Sequence, residues 1–134
     1  MARLQNQRGD ALAPVPKKII AIIEDDSGMR RSTSILLEAC GFGTQTFDSA
    51  EAFLKVAASS NACCLVVDIN LDKMTGLELA LQLAERGMRY PIIFMTGNDN
   101  DSVRCQAEDL GAVAYLNKPF PARILIEAII KATG

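Results

Sequence analysis

The stretch IIAIIEDDSGMRRS, residues 19–32, sets five apolar residues directly against three acids. An apolar, mostly β-branched run of this length reads as a strand buried on both faces. Such a strand delivers Glu24, Asp25 and Asp26 together at its carboxyl end. Like charges gathered there repel, so a positive partner is expected close by. Asp26 or Ser27 is expected to cap the helix that begins near Gly28, which leaves Glu24 and Asp25 unexplained by capping.

Working outward from Ile19, apolar runs of strand length alternate with amphipathic stretches of helix length. Strands are predicted at Ile19 to Ile23, Thr44 to Phe47, Cys63 to Val67, Ile92 to Met95 and Val113 to Leu116. Helices are predicted at Gly28 to Ala39, Ala50 to Ala58, Leu77 to Arg86, Ser102 to Glu108 and Ala122 to Ala132. Gly41 and Gly43, then Gly87, then Gly111, follow the first, third and fourth helices, where C-terminal glycines belong. Five βα units in succession predict an α/β fold: a (βα)5 doubly wound parallel five-stranded sheet with helices on both faces.

With 134 residues and 49% hydrophobic content, the chain fits one domain. Residues 1–17, with Pro14 and Pro16, read as a flexible leader, and residues 18–134 as the domain. The net charge is −2, and no basic stripe is interleaved with aromatics, so direct nucleic-acid binding is not expected. No apolar run approaches the ~18 residues of a membrane helix, and no signal-peptide core is present. Cys40, Cys63, Cys64 and Cys105 lack CxxC spacing and the chain has no histidine, which removes the usual mixed zinc sites. They read as reduced cytoplasmic thiols packed as small hydrophobes, with Cys63 and Cys64 on opposite sides of a strand. Arg30 and Arg31 read as a solvated helix face, and Met29, Met74, Met88 and Met95 as core or loop fillers.

In an open sheet of this kind, function sits outside the carboxyl ends of the strands. There the first strand supplies Glu24, Asp25 and Asp26, the third Asp68, the fourth Thr96 and the fifth Lys118, followed by Pro119. One ammonium does not balance Glu24, Asp25 and Asp68, so a divalent cation is the expected remaining partner. Carboxylate oxygens suit a hard ion, and Mg²⁺ takes one or two of them together with waters and a phosphate oxygen. The ion, Lys118 and the Thr96 hydroxyl would each meet one phosphoryl oxygen, leaving Asp68 free to attack phosphorus in line.

Together, IIEDD (22–26), VVDIN (66–70), MTGN (95–98) and YLNKPF (115–120) resemble the receiver domain of two-component response regulators, in that family's order. The resemblance covers roughly residues 18–133. It implies a flavodoxin-like fold and makes Asp68 the phosphoacceptor and a ligand of Mg²⁺. Asp25 would bind the ion directly, Glu24 through water, and Asn70 through its backbone carbonyl. Thr96 and Lys118 would contact the phosphoryl group, and Tyr115 matches the aromatic switch position. The family's Lys-Pro bond is commonly cis. Implied partners are a sensor histidine kinase or phosphotransfer protein and a downstream effector that reads the face from the fourth to the fifth helix. The resemblance also allows homodimerisation through that face. The expected protein is a cytoplasmic signalling receiver with no output domain in this chain, catalysing its own phosphorylation and slow autodephosphorylation.

In the loop DINLDKMTG, Asp72 stands where the family often has proline. Two other classes of protein compete with the receiver. A phosphohydrolase with an aspartyl-phosphate intermediate would usually want a second acid where Asn70 stands. A binding module that merely keeps the shape has no need of Asp25, Asp68, Thr96 and Lys118 together. A nucleotide site would want a glycine-rich loop after the first strand, which is absent.

Overall fold

The computed structural model describes residues 16–134. β1 (Ile19–Ile23) leads into α1 (Ser27–Ala39), β2 (Gly43–Phe47) into α2 (Ala50–Val56), and β3 (Cys64–Asp68) into α3 (Gly76–Glu85). β4 (Ile92–Thr96) leads into α4 (Asp101–Asp109), and β5 (Ala114–Asn117) into α5 (Ala122–Thr133). All strand pairings are parallel, in the order β2-β1-β3-β4-β5. The expected (βα)5 arrangement is therefore the observed one. Strand order reverses at β1 and β3, which opens the crevice where sites form in such sheets. The expected leader falls outside the described residues as far as residue 15.

Alternation along β1 explains why both faces need covering. Ile20 and Ile22 join Val66, Ile93 and Met95 under Leu37 of α1 and Leu125 and Ile129 of α5. Ala21 and Ile23 join Val67 and Phe94 under Phe53 of α2, Leu79 of α3 and Ala107 of α4. Each large apolar side chain buried in these layers contributes roughly 1.5–3 kcal/mol. The strand ends are thus anchored from both sides.

Local chemistry sets the helix ends. Asp26 caps α1, its Oδ1 accepting from the Met29 N–H at 3.0 Å. Thr75 and Glu78 form a reciprocal capping box on α3, at 3.2 and 2.8 Å. Asn100 caps α4 through the Val103 N–H. Gly41, Gly87 and Gly111 take φ of +94°, +72° and +80°, the left-handed turn that ends a helix at little cost for glycine.

The predicted strands stop one residue short at β3, β4 and β5. Asp68 pairs with Met95 and Thr96 with Asn117, so the polar end residues remain in the ladder. Conversely, α2 ends at Val56 and not at Ala58, because the Ser59 N–H turns back to the Val56 carbonyl in a tighter turn. The cysteine reading needs correction. Only Cys64 is buried, and Cys40 and Cys105 are exposed. Cys63 precedes β3, so it packs against the same layer as Cys64 and not on the opposite face.

Candidate functional site

Among the described residues, three of the four buried polar ones lie at the carboxyl edge of the sheet: Glu24 is 1% exposed, Asp68 5% and Thr96 1%. Each is fixed by backbone pairing around it. The Glu24 N–H donates to the Phe47 carbonyl, the Ile69 N–H to the Met95 carbonyl, and the Lys118 N–H to the Thr96 carbonyl. Lys118, beside a cis bond to Pro119, donates from Nζ to Glu24 Oε1 at 2.8 Å and to Asp68 Oδ2 at 3.1 Å. This is the cation that the sequence of β1 required.

It does not neutralise the site. One carboxylate oxygen from each of Glu24, Asp25 and Asp68 lies within 4.8 Å of the other two. Burial pushes the Glu24 carboxyl up to about 7, against the Lys118 hydrogen bond and with the Asp68 charge adding to the rise. Burial pulls the Lys118 ammonium down, and the bonds to Glu24 and Asp68 outweigh it, so its pKa lies above the usual lysine range. An all-oxygen set with surplus negative charge fits a hard divalent cation such as Mg²⁺.

Around this cluster Asp68 Oδ1 accepts from the Asn70 N–H at 2.9 Å. The Thr96 hydroxyl donates to Asn70 Oδ1 at 2.9 Å and accepts from the Asn98 N–H at 3.0 Å. At the departure in the loop, the Asp72 N–H reaches Asp25 Oδ2 at 3.4 Å, a bond that proline has no N–H to make. Lys73, next in the loop, has φ of +59°. The Tyr115 hydroxyl points to Asp99, donating to Oδ1 at 2.8 Å. Burial and then that bond push its phenol up to about 12. The structure thus brings Glu24, Asp25, Asp68 and Lys118 into one cluster with Asn70 and Thr96 alongside. Tyr115 is held apart from it, by Asp99.

Gly76, Asp99 and Arg104 were not singled out in the sequence, and Arg30 was given a different place. Arg30, read as solvated, is half-buried and donates to the Glu24 carbonyl at 2.8 Å, whereas Arg31 is exposed. A Cβ on Gly76 would lie 2.6 Å from the Asp68 carbonyl oxygen and 2.9 Å from Ile69 Cα, so α3 starts in contact with the strand end that carries Asp68. Gly76 stands one residue before the predicted helix start at Leu77, where a glycine draws no notice. Asp99 and Arg104, which pair with each other, gave no signal.

A family model described as the response regulator receiver domain matches residues 20–130. Nodulation protein W of Bradyrhizobium diazoefficiens is 36% identical over 117 residues, 87% of this chain and 52% of that protein. The transcriptional regulatory protein FixJ of the same organism is 38% identical over 101 residues, 75% of this chain and 49% of that protein. The chain spans about half the length of these curated relatives. A crystal structure of FixJ-N superposes with a TM-score of 0.82 at 32% identity, covering 89% of this chain and 95% of that one. A chemotaxis protein of Vibrio cholerae reaches a TM-score of 0.80 at 20% identity, covering 87% and 99%, a likeness of fold alone. Among the described residues no helix is long and apolar enough to cross a membrane. The parallel five-stranded sheet, the acidic cluster at its carboxyl edge and the match over residues 20–130 lead to one conclusion: this chain belongs to the receiver domain family of two-component response regulators.

Proposed function

We propose that residues 18–134 act as a phosphoacceptor receiver in which Asp68 takes a phosphoryl group in a Mg²⁺-dependent reaction. The observation that carries this reading is Lys118 bonded to both Glu24 and Asp68 inside a cluster of three carboxylates. Glu24, Asp25 and Asp68 would hold the ion, with Asn70 adding its backbone carbonyl. When bound, Mg²⁺ would offset negative charge on a phosphoryl oxygen.

The residues of this chain do the rest. One Asp68 carboxylate oxygen attacks phosphorus; the bond from phosphorus to the donor's imidazole nitrogen, or to the acyl oxygen of a small acyl phosphate, breaks, and its electron pair leaves with the donor. Lys118, already at Asp68, neutralises a second phosphoryl oxygen. The Thr96 hydroxyl gives up Asn70 and donates to a third. Water hydrolyses the acyl phosphate slowly and resets the site.

The new group adds up to about −2 of charge, and movement of Thr96 toward it opens room for Tyr115 to turn inward. That alters the surface of α4, β5 and α5, where a downstream effector or a second copy of the chain would bind. The donor is a sensor histidine kinase or phosphotransfer protein. The proposed setting is the cytoplasm, which suits four free thiols. Intact-protein mass with acetyl phosphate tests the core of this. One phosphoryl adduct is expected on wild type with Mg²⁺ and none with chelator or on Asp68→Asn. An adduct of equal yield on Asp68→Asn would overturn the assignment.

A further inference from the structure

Asn98, Asp99 and Asn100 form the turn from β4 into α4, and each holds a different part of the molecule. The Asn98 N–H binds the Thr96 hydroxyl. Asn100 caps α4. Between them Asp99 accepts from the Tyr115 hydroxyl through Oδ1 at 2.8 Å and from Arg104 through Oδ2 at 2.5 Å. Arg104 also lies over the Tyr115 ring, 5.3 Å from its centroid, where a guanidinium is attracted to the aromatic face. Tyr115 is therefore gripped at its hydroxyl and on its ring by two residues outside the phosphoryl site.

We infer that Asp99, supported by Arg104, is a positioning residue that latches Tyr115 in the half-buried position it holds here and sets the resting population of the switch, an inference that rests on the receiver reading above. The turn gives the latch its coupling. Thr96 cannot move toward a phosphoryl group while its bonds to Asn70 and to the Asn98 N–H stay as they are. Shifting the turn at Asn98 displaces Asp99, its neighbour, and loosens the hold on Tyr115. In the resting protein the same bonds run the other way, and a secured Tyr115 keeps the turn and Thr96 in place. Among the described residues Asp99 bonds to Tyr115 and Arg104 and makes no hydrogen bond or ion pair with Glu24, Asp25, Asp68 or Lys118, so it acts on the equilibrium between packings and not on the chemistry.

The test uses the full chain labelled with 3-fluorotyrosine. Tyr90 and Tyr115 are the two tyrosines of the sequence, so two ¹⁹F resonances are expected, assigned through Tyr90→Phe. Acetyl phosphate with Mg²⁺ should move the Tyr115 resonance in wild type. Without any phosphodonor, Asp99→Ala should already displace it in the same direction, with the inward population raised roughly threefold to tenfold. Arg104→Ala should shift it less, and Asp99→Asn, which retains an acceptor oxygen, should stay nearest to wild type. A resting Tyr115 resonance that is the same in Asp99→Ala as in wild type would overturn the latch. Phosphoryl uptake, read by mass on the same samples, is a separate outcome: equal uptake by Asp68→Asn and wild type would sink the receiver reading, while the resting displacement would still decide whether Asp99 holds Tyr115.

Discussion

Replacing Glu24 by glutamine should make the metal-free protein more stable at alkaline pH, although it deletes one partner of a salt bridge. The Glu24 carboxyl is 1% exposed, and burial raises its pKa from 4.5 to about 7 with Lys118 already bonded to it. A folded-state value above the unfolded one means that the native protein binds this proton more tightly. The corresponding stability is fully present below 4.5 and is lost as pH climbs through about 7. The whole effect is about 3 kcal/mol, of which about 2 kcal/mol is lost between roughly pH 5.5 and pH 8. Glutamine mimics the protonated form at every pH and still offers Lys118 an oxygen. Urea unfolding in chelator should therefore show Glu24→Gln gaining about 2 kcal/mol on wild type between roughly pH 5.5 and pH 8. Mg²⁺ should narrow the gap at the higher pH, since wild type gains about 2.7 kcal/mol at a hundred times its Kd and the variant, with one carboxylate fewer, gains less. A difference between the two proteins that does not change with pH would refute the reasoning.

Lys118→Met leaves Glu24 and Asp68 buried without their ammonium, and should cost about 2–4 kcal/mol in chelator at neutral pH, less with Mg²⁺, as read by urea midpoints. Gly76→Ala forces a methyl into the Asp68 carbonyl and Ile69 backbone, and should cost about 1–3 kcal/mol while slowing phosphoryl uptake, measured as the rate of adduct formation by mass. Asp26→Ala removes the α1 cap and should cost about 1 kcal/mol in thermal unfolding with Mg²⁺ binding retained.

The fold was legible because its signals are local. The apolar run of β1, the capping residues and the glycines after α1, α3 and α4 each act within a few positions. Strand ends were less so: Asp68 and Thr96 are polar and lie one residue past the predicted strand bounds, yet the ladder to β4 and β5 keeps them in strands. At the site, the acids, Thr96 and Lys118 could be placed at one edge from the βα alternation, which makes the strands parallel and brings their carboxyl ends together. What lay beyond reach depends on contacts set by tertiary geometry. Arg30 looks like any helical arginine until its guanidinium meets the Glu24 carbonyl. The Asp99 and Tyr115 pair joins positions 16 residues apart across two βα units, and no period in the sequence marks it.

In the proposed reaction Asp68 itself carries the phosphoryl group. Borohydride reduces an acyl phosphate on aspartate to the alcohol, converting that residue to homoserine, so peptide mapping after treatment with acetyl phosphate and Mg²⁺ reads the acceptor directly. Homoserine at position 68, and at no other aspartate, is the predicted result. Homoserine at Asp25 or elsewhere with position 68 unmodified would contradict it.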